Sequence, residues 1–174
     1  MKKPELLAPA GDLLKLKVAF LYGADAVYCS TRKFAMRVRE IGFDNKSLKQ
    51  GINYAHKLGK KVYITINTFP HASEISAVKL HVREMNKLKP DGFIVADPGL
   101  IKYIKDNSKI PVHLSTQANT TNQLTAKFWQ DLGVDRIVLA RELNLKDIKN
   151  ISKCLDIPIE IFVHGAMCMA YSGR

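Results

Sequence analysis

Residues 61–96, KVYITINTFPHASEISAVKLHVREMNKLKPDGFIVA, decide the fold. Lys61-Val-Tyr-Ile-Thr-Ile66 is rich in β-branched and aromatic residues, stops at Asn67, and predicts a strand. From about Ser73 to Leu88 the apolar residues fall at helical spacing. Gly92-Phe-Ile-Val-Ala96 is a second short apolar run, closed by Asp97-Pro98-Gly99. A strand, a helix and a strand in this order make the crossover unit of a parallel sheet.

The alternation continues in both directions. Toward the N-terminus, Glu5–Ala8 reads as a strand ending at Pro9-Ala10-Gly11, and Asp12 caps a helix over Leu13–Tyr22. Ala26–Cys29 is the second strand, and after a basic loop Asp44 or Asn45 opens a helix to about Leu58. Toward the C-terminus, Leu100 to about Asp106 is helical, Pro111–Ser115 is a strand, and Thr121–Leu132 is helical. Arg136–Ala140, a helix from Asn144 to about Cys154, and the strand Pro158–Val163 complete the series. Seven strands and six helices predict an α/β chain with a TIM-barrel-like parallel (β/α) fold, incomplete by one strand and at least one helix. An open doubly wound sheet is the alternative, but Ala8-Pro9-Ala10-Gly11 carries one glycine where a dinucleotide fingerprint needs three. The expectation is one domain over 1–174 with no second domain.

The chain has 174 residues, 47% hydrophobic and 25% charged, which suits a globular domain with a sizeable core. Lys and Arg exceed Asp and Glu by 27 to 16, a net charge of +11. That excess favours a polyanion such as RNA, although a lysine-rich solvated surface gives the same count. Cys29, Cys154 and Cys168 are odd in number and widely spaced, so they form no disulfide framework and point to a reducing, cytoplasmic setting. Pro4, Glu5, Pro9, Gly11 and Asp12 interrupt the apolar N-terminal stretch, which excludes a signal peptide. No run approaches the roughly 20 apolar residues of a membrane span.

A parallel barrel carries its chemistry at the C-terminal strand ends. Those ends hold Gly11, Tyr28 with Cys29, Asn67, Asp97, Ser115 with Gln117, Arg141 with Glu142, and His164. His164, Asp97, Arg141, Tyr28 and Gln117 are the catalytic candidates. Simpler roles exist for several of them: a helix cap for Asp97, a surface ion pair for Arg141 and Glu142, a satisfied backbone carbonyl for His164, a core aromatic for Tyr28. Cys154 sits on a helix and reads as structural. Cys168 has three readings: a nucleophile with His164 four residues away, a metal ligand in need of partners, or a buried apolar residue. In Arg32-Lys33-Phe34-Ala-Met36-Arg37-Val-Arg39, cations alternate with Phe34 and Met36, a composition that can grip phosphate and stack on a base. Arg37, Arg39 and Asn67 are the substrate-binding candidates, and a solvated loop is the competing reading. No Cys-x-x-Cys, His-Glu-x-x-His, phosphate loop or Gly-x-Ser-x-Gly is present.

Glu160-x-Phe162-x-x-Gly165-Ala166-Met167-Cys168-x-x-x-x-Gly173 resembles the signature of the collagenase-like peptidase family, family U-32. Glu5-Leu-Leu-Ala-Pro-Ala-Gly11, Gly23-Ala-Asp-Ala-Val-Tyr28, Asp97-Pro-Gly-Leu-Ile101 and His113-Leu-Ser-x-Gln-Ala-Asn119 extend the resemblance along the whole chain. Lys127-Phe-Trp-Gln130 and Arg141-Glu-Leu143 look most like the family's tRNA 5-hydroxyuridine hydroxylase branch, called TrhP or YegQ.

The resemblance implies a prephenate-dependent, oxygen-independent hydroxylase that makes 5-hydroxyuridine at the tRNA wobble position. It implies a [4Fe–4S] cluster on four cysteines, with Cys168 in the place of the first; the other three would lie beyond Arg174. Cys29 and Cys154 match no cluster position. The chain then reads as the N-terminal barrel part of a longer family protein, ending inside the signature. Its expected partners are tRNA at the anticodon region and either the rest of the protein or a C-terminal partner chain, with no membrane. The family name leaves collagenase-like proteolysis as a second reading, and a non-catalytic RNA-binding fragment is a third. The parent protein is expected to be an enzyme and the isolated chain inactive, short of stability, and unable to hold a stoichiometric cluster.

Overall fold

The computed structural model describes residues 3–32, 34, 42–165 and 172. Among them lie seven strands and six α-helices in alternation, with strand order β1-β2-β3-β4-β5-β6-β7. The fold is TIM-barrel-like and α/β, as the alternation predicts. The chain divides into two compact units, Met1–Phe93 and Ile94–Arg174.

The first unit carries β1 (Leu7–Pro9), α1 (Leu13–Leu21), β2 (Ala26–Ser30), α2 (Asn45–Lys57), β3 (Lys61–Ile66) and α3 (Ile75–Leu88). Its strands are parallel, with Ala8 opposite Val27 and Val27 opposite Val62. Val62, Ile64 and Ile66 on one face of β3 and Tyr63 and Thr65 on the other are all buried, as a sheet covered on both faces requires. Helices α1 and α2 approach closely at Gly51, where a Cβ would lie 2.9 Å from Leu16 Cδ1. The helix expected from Ser73 starts instead with a 3-10 turn, Ala72–Glu74, in which Glu74 accepts from the His71 N–H at 2.8 Å. That carboxylate satisfies an amide the turn would otherwise leave open.

Strand β4 (Gly92–Val95) spans the division. The second unit continues with α4 (Pro98–Asn107), β5 (Val112–Leu114), α5 (Gln123–Asp131), β6 (Arg136–Val138), α6 (Leu145–Lys153) and β7 (Ile159–Glu160). His113 pairs with Arg136, and Val138 with Glu160, again in parallel. Strand β7 is shorter than the expected Pro158–Val163. The Leu139 N–H still reaches the Glu160 carbonyl at 2.9 Å, but the Ala140 N–H turns to the Thr120 carbonyl at 3.1 Å. Beyond Glu160 the β6 ladder is therefore spent on a loop. Ile161, Phe162 and Val163 lie outside the strand, and Val163 is 84% exposed.

Two devices repeat along the chain. The side chains of Asp12, Asp44, Asp97, Asn122 and Asn144 each accept the backbone N–H three residues on, at 2.7–3.0 Å, and so cap the helix that follows. At the opposite, N-terminal strand ends, an aspartate just before an even strand clasps the beginning of the preceding odd one. Asp25 accepts from Leu6 N at 3.0 Å, Asp91 from Val62 N at 2.8 Å, and Asp135 from Val112 N at 2.7 Å. Each clasp is joined by a basic side chain: Lys60 at 3.1 Å, His56 at 2.9 Å and Lys105 at 3.0 Å, respectively. The N–H of Leu6 and the Lys60 ammonium hold the Asp25 carboxyl below its ordinary value. Among the described residues no helix is long and apolar enough to cross a membrane.

Candidate functional site

In the second unit, the loops that follow β4 to β7 place Asp97, Gln117, Arg141 and His164 each past the C-terminal end of its own strand. Two of the loops are stitched together. After β5 the chain makes a 3-10 turn, Thr116–Ala118, capped by Ser115. Thr116 Oγ1 donates to the Leu139 carbonyl at 3.2 Å, and the Thr120 carbonyl accepts from Ala140 N. Arg141, the next residue, is thus set directly against the β5 loop. Gln117 is buried within that loop, and its Oε1 accepts from Ser115 Oγ at 3.1 Å. Asn119 adopts a left-handed φ of 52°, a conformation asparagine tolerates better than most residues. Buried Thr120 Oγ1 and Asn119 Oδ1 meet no hydrogen-bond partner among the described residues.

Arg141 lies with its guanidinium carbon 4.1 Å from the centre of the Phe162 ring, a cation–π stack. Its backbone N–H donates to Ser172 Oγ at 2.8 Å, and the Ser172 N–H donates to Glu142 Oε1. Ser172 is fully buried. Partial desolvation pushes the Glu142 carboxyl up. The N–H groups of Glu142 and Ser172, the Ser172 hydroxyl and the Arg141 charge outweigh it and hold the carboxyl below the usual range. Glu142 and Arg141 thus do more than form a surface pair: both are tied to Ser172.

The other candidates divide. Asp97 is engaged as the cap of α4, accepting from Leu100 N at 2.7 Å, beside Pro98 in the first helical turn. His164 is exposed. In the first unit, Tyr28 is half-buried opposite Tyr63 in the β2–β3 register, and Asn67 is half-buried just past β3. Cys168, Arg37 and Arg39 lie outside the described residues.

The basic loop has a described neck. Thr31 and Phe43 form an isolated parallel bridge, and Phe43 N donates to the Ser30 carbonyl at 3.0 Å. A Cβ on Gly42 would lie 3.1 Å from Arg32 N and Thr31 C, so a larger residue would have to push the two ends of the loop apart by a few tenths of an ångström. Buried His81 of α3 pairs its Nε2 with Thr31 Oγ1 at 3.1 Å, and its ring lies 5.4 Å from that of Phe34.

Several polar residues escaped the sequence reading. In the first unit Glu5 accepts from Tyr63 Oη at 2.7 Å and Lys61 Nζ at 2.9 Å. In the second, Arg136 and Glu160 form an ion pair at 3.2 Å with side chains 15% and 18% exposed. His113 sits beside Arg136 in register. Only Lys61-Val-Tyr-Ile-Thr-Ile66 carried a local signal, a polar or hydroxyl-bearing residue at every second position, which places those side chains on one face of the strand. Glu142 stood in the sequence reading only as a neighbour of Arg141, and Ser172 had no signal of its own.

Among the described residues no group of three or more His, Cys, Asp or Glu side chains could hold a metal ion. Cys29 is buried, and burial pushes its thiol up to about 12, so it is neither a ready ligand nor a nucleophile. Cys154 is exposed and donates to the Ile151 carbonyl at 3.0 Å. The described residues therefore do not supply the ligands of an iron–sulfur cluster.

Comparison with known proteins places this architecture. The chain is 54% identical over 177 residues to tRNA hydroxylation protein P of Helicobacter pylori strain J99, covering 100% of this chain and 42% of that protein. It is 47% identical over 176 residues to tRNA hydroxylation protein P of Escherichia coli strain K12, covering 100% of this chain and 39% of that protein. The chain thus spans about 40% of the length of these curated relatives. The solved structure of the U32 peptidase Mk0906 shares the fold with a TM-score of 0.75 at 15% identity, over 92% of this chain and 70% of that one. The model of peptidase family U32 matches residues 11–174. The chain belongs to peptidase family U32.

Proposed function

We propose that this chain supplies the barrel framework of an enzyme that hydroxylates RNA, with tRNA uridine as the substrate and 5-hydroxyuridine at the wobble position as the product. The carrying observation is identity of 47% and 54% over the whole chain to proteins named for tRNA hydroxylation. The net charge of +11 supports a polyanionic substrate. In this reading the Arg141–Phe162 stack offers a cation and an aromatic face at the strand ends, the pairing that suits a nucleotide. Arg37 and Arg39 grip the RNA backbone, and Asn67 contributes hydrogen bonds. Cys168 serves as one thiolate of a [4Fe–4S] cluster, with prephenate as the co-substrate.

Deleting the gene and measuring tRNA nucleosides by mass spectrometry tests the reading. Loss of 5-hydroxyuridine and its derivatives is expected. An unchanged nucleoside profile, with gelatin cleavage by the purified protein abolished in Cys168→Ala, would instead establish the peptidase reading.

A further inference from the structure

Unpaired positive charge collects on one helix of the first unit. Helix α2 has 13 residues and no Asp or Glu among them. Leu48, Gly51, Ile52 and Ala55 are buried on one side. On the other side Lys46, Lys49, Gln50, Asn53 and Lys57 are exposed, at the spacing of a single helix face. Among the described residues none of these three lysines meets a carboxylate. Helices α4 and α5 instead match lysines internally, Lys102 with Asp106 at 2.6 Å and Lys127 with Asp131 at 3.4 Å. Lys46 also sits in the first turn of α2, where the helix dipole disfavours a cation, so helix stability does not account for it. Two further cations flank the face. Lys17 of α1 lies 5.5 Å from the centre of the Tyr54 ring. Exposed Arg32 stands near the start of α2: Ser47 foremost, and then the Arg32 charge, hold the Asp44 carboxyl below its ordinary value. The Thr31–Phe43 bridge sets that start just past the C-terminal end of β2, the end at which a parallel barrel carries its chemistry.

We infer that the exposed face of α2 is a landing surface for the RNA backbone, with Lys46, Lys49 and Lys57 on phosphates and the amides of Gln50 and Asn53 between them for ribose hydroxyls. The inference rests on the RNA reading of the preceding section and names the surface that carries it. From Lys46 to Lys57 the face runs about 16 Å along the helix axis. That is too long for one free phosphate and suits several successive ones. An anionic membrane fits the face less well. A helix that lies on a membrane sinks its apolar side into lipid, and α2 spends its apolar side on the fold.

The test is the anisotropy of fluorescently labelled tRNA titrated with the intact protein over a range of salt. The triple variant Lys46→Gln/Lys49→Gln/Lys57→Gln removes three charges from α2. The control Lys102→Gln/Lys109→Gln/Lys127→Gln removes three exposed charges elsewhere. Lysine and glutamine have similar helix propensity, so circular dichroism of both should match the parent. The α2 triple should lower the slope of log affinity against log salt by about two to three, and weaken binding on the order of 100-fold near physiological salt. The control should stay close to the parent, because distant exposed charges are screened. Lys46→Arg/Lys49→Arg/Lys57→Arg keeps the charges and should bind as the parent does. An α2 triple that binds like the parent overturns the inference, as does an equal loss in the two glutamine triples, which would mean that RNA senses net charge alone; both outcomes leave the RNA reading intact. A parent protein that ignores tRNA at every salt concentration, or is retained by phosphatidylcholine–phosphatidylserine vesicles instead, defeats the RNA reading and the inference with it.

Discussion

Replacing Asp91 by alanine tests the repeated clasp at the N-terminal strand ends. Asp91 Oδ2 accepts the Val62 N–H at 2.8 Å and meets His56 Nε2 at 2.9 Å. Val62 is fully buried, while the Asp91 side chain is 28% exposed. Alanine leaves the Val62 amide without its acceptor in a place that water reaches poorly. Leaving such a group unsatisfied costs about 1–3 kcal/mol. The His56 contact adds little, because it is nearer the surface. For a chain of this size, a loss of about 2 kcal/mol lowers the melting temperature by about 4–8 °C. Asp91→Asn keeps an acceptor oxygen in the same place and should lose less than half as much. Thermal unfolding followed by circular dichroism, with urea titration to check that the slope is unchanged, measures both variants. If Asp91→Ala melts with the parent, or Asp91→Asn falls as far as alanine, the amide is satisfied elsewhere and the clasp contributes nothing.

Other expectations follow from the same structure. Gly42→Ala brings a Cβ to 3.1 Å from the Arg32 and Thr31 backbone, so it should spread the neck of the basic loop and weaken tRNA binding in a filter or anisotropy assay; unchanged affinity would detach the neck from RNA binding. The double variant Arg37→Ala/Arg39→Ala should lower the slope of log affinity against log salt by about two if both side chains meet phosphates. Cys29, buried with its thiol pushed up to about 12, should stay unmodified by iodoacetamide near pH 8 while Cys154 reacts; the same peptide maps read both. Asp12, Asp25 and Asp44 all have carboxyls held below the ordinary 3.8. Their contribution is complete above that value and is lost as pH falls through the lower folded values. Acid unfolding should therefore set in below 3.8, and a loss of stability confined to neutral pH would refute this assignment.

Much of the fold was legible because local signals and the global pattern agree. Strand β3 runs over Lys61–Ile66 as its β-branched run predicts, Asp12, Asp44 and Asp97 cap helices where a cap was read, and a helix starts after Asn144 as expected. The ends of β6 and β7 were not legible. Arg136–Ala140 and Pro158–Val163 look like continuous apolar strands, but the Ala140 amide is diverted to Thr120, a tertiary hydrogen bond with no local trace. The site was legible in part. Asn67, Asp97, Gln117, Arg141 and His164 do follow their strands, because topology alone fixes that, while Tyr28 lies within β2. Which of them act together was hidden. Asp97 is committed to its helix cap, whereas Arg141 is joined to Phe162, Glu142 and Ser172, partners up to 31 residues distant. The aspartate clasps were hidden for the same reason: Asp25, Asp91 and Asp135 look like turn residues until the strand beside each is known.

The most direct test of the central claim is the 5-hydroxyuridine content of tRNA in a deletion strain complemented with the intact protein or its Arg141→Ala variant. Western blotting should show equal amounts of the two proteins. The account predicts that the parent restores the modified nucleosides and that Arg141→Ala, lacking the cation over Phe162, does not. Full restoration by Arg141→Ala would contradict the placement of the site at the β5–β7 strand ends, and no loss of 5-hydroxyuridine on deletion would contradict the hydroxylase assignment itself.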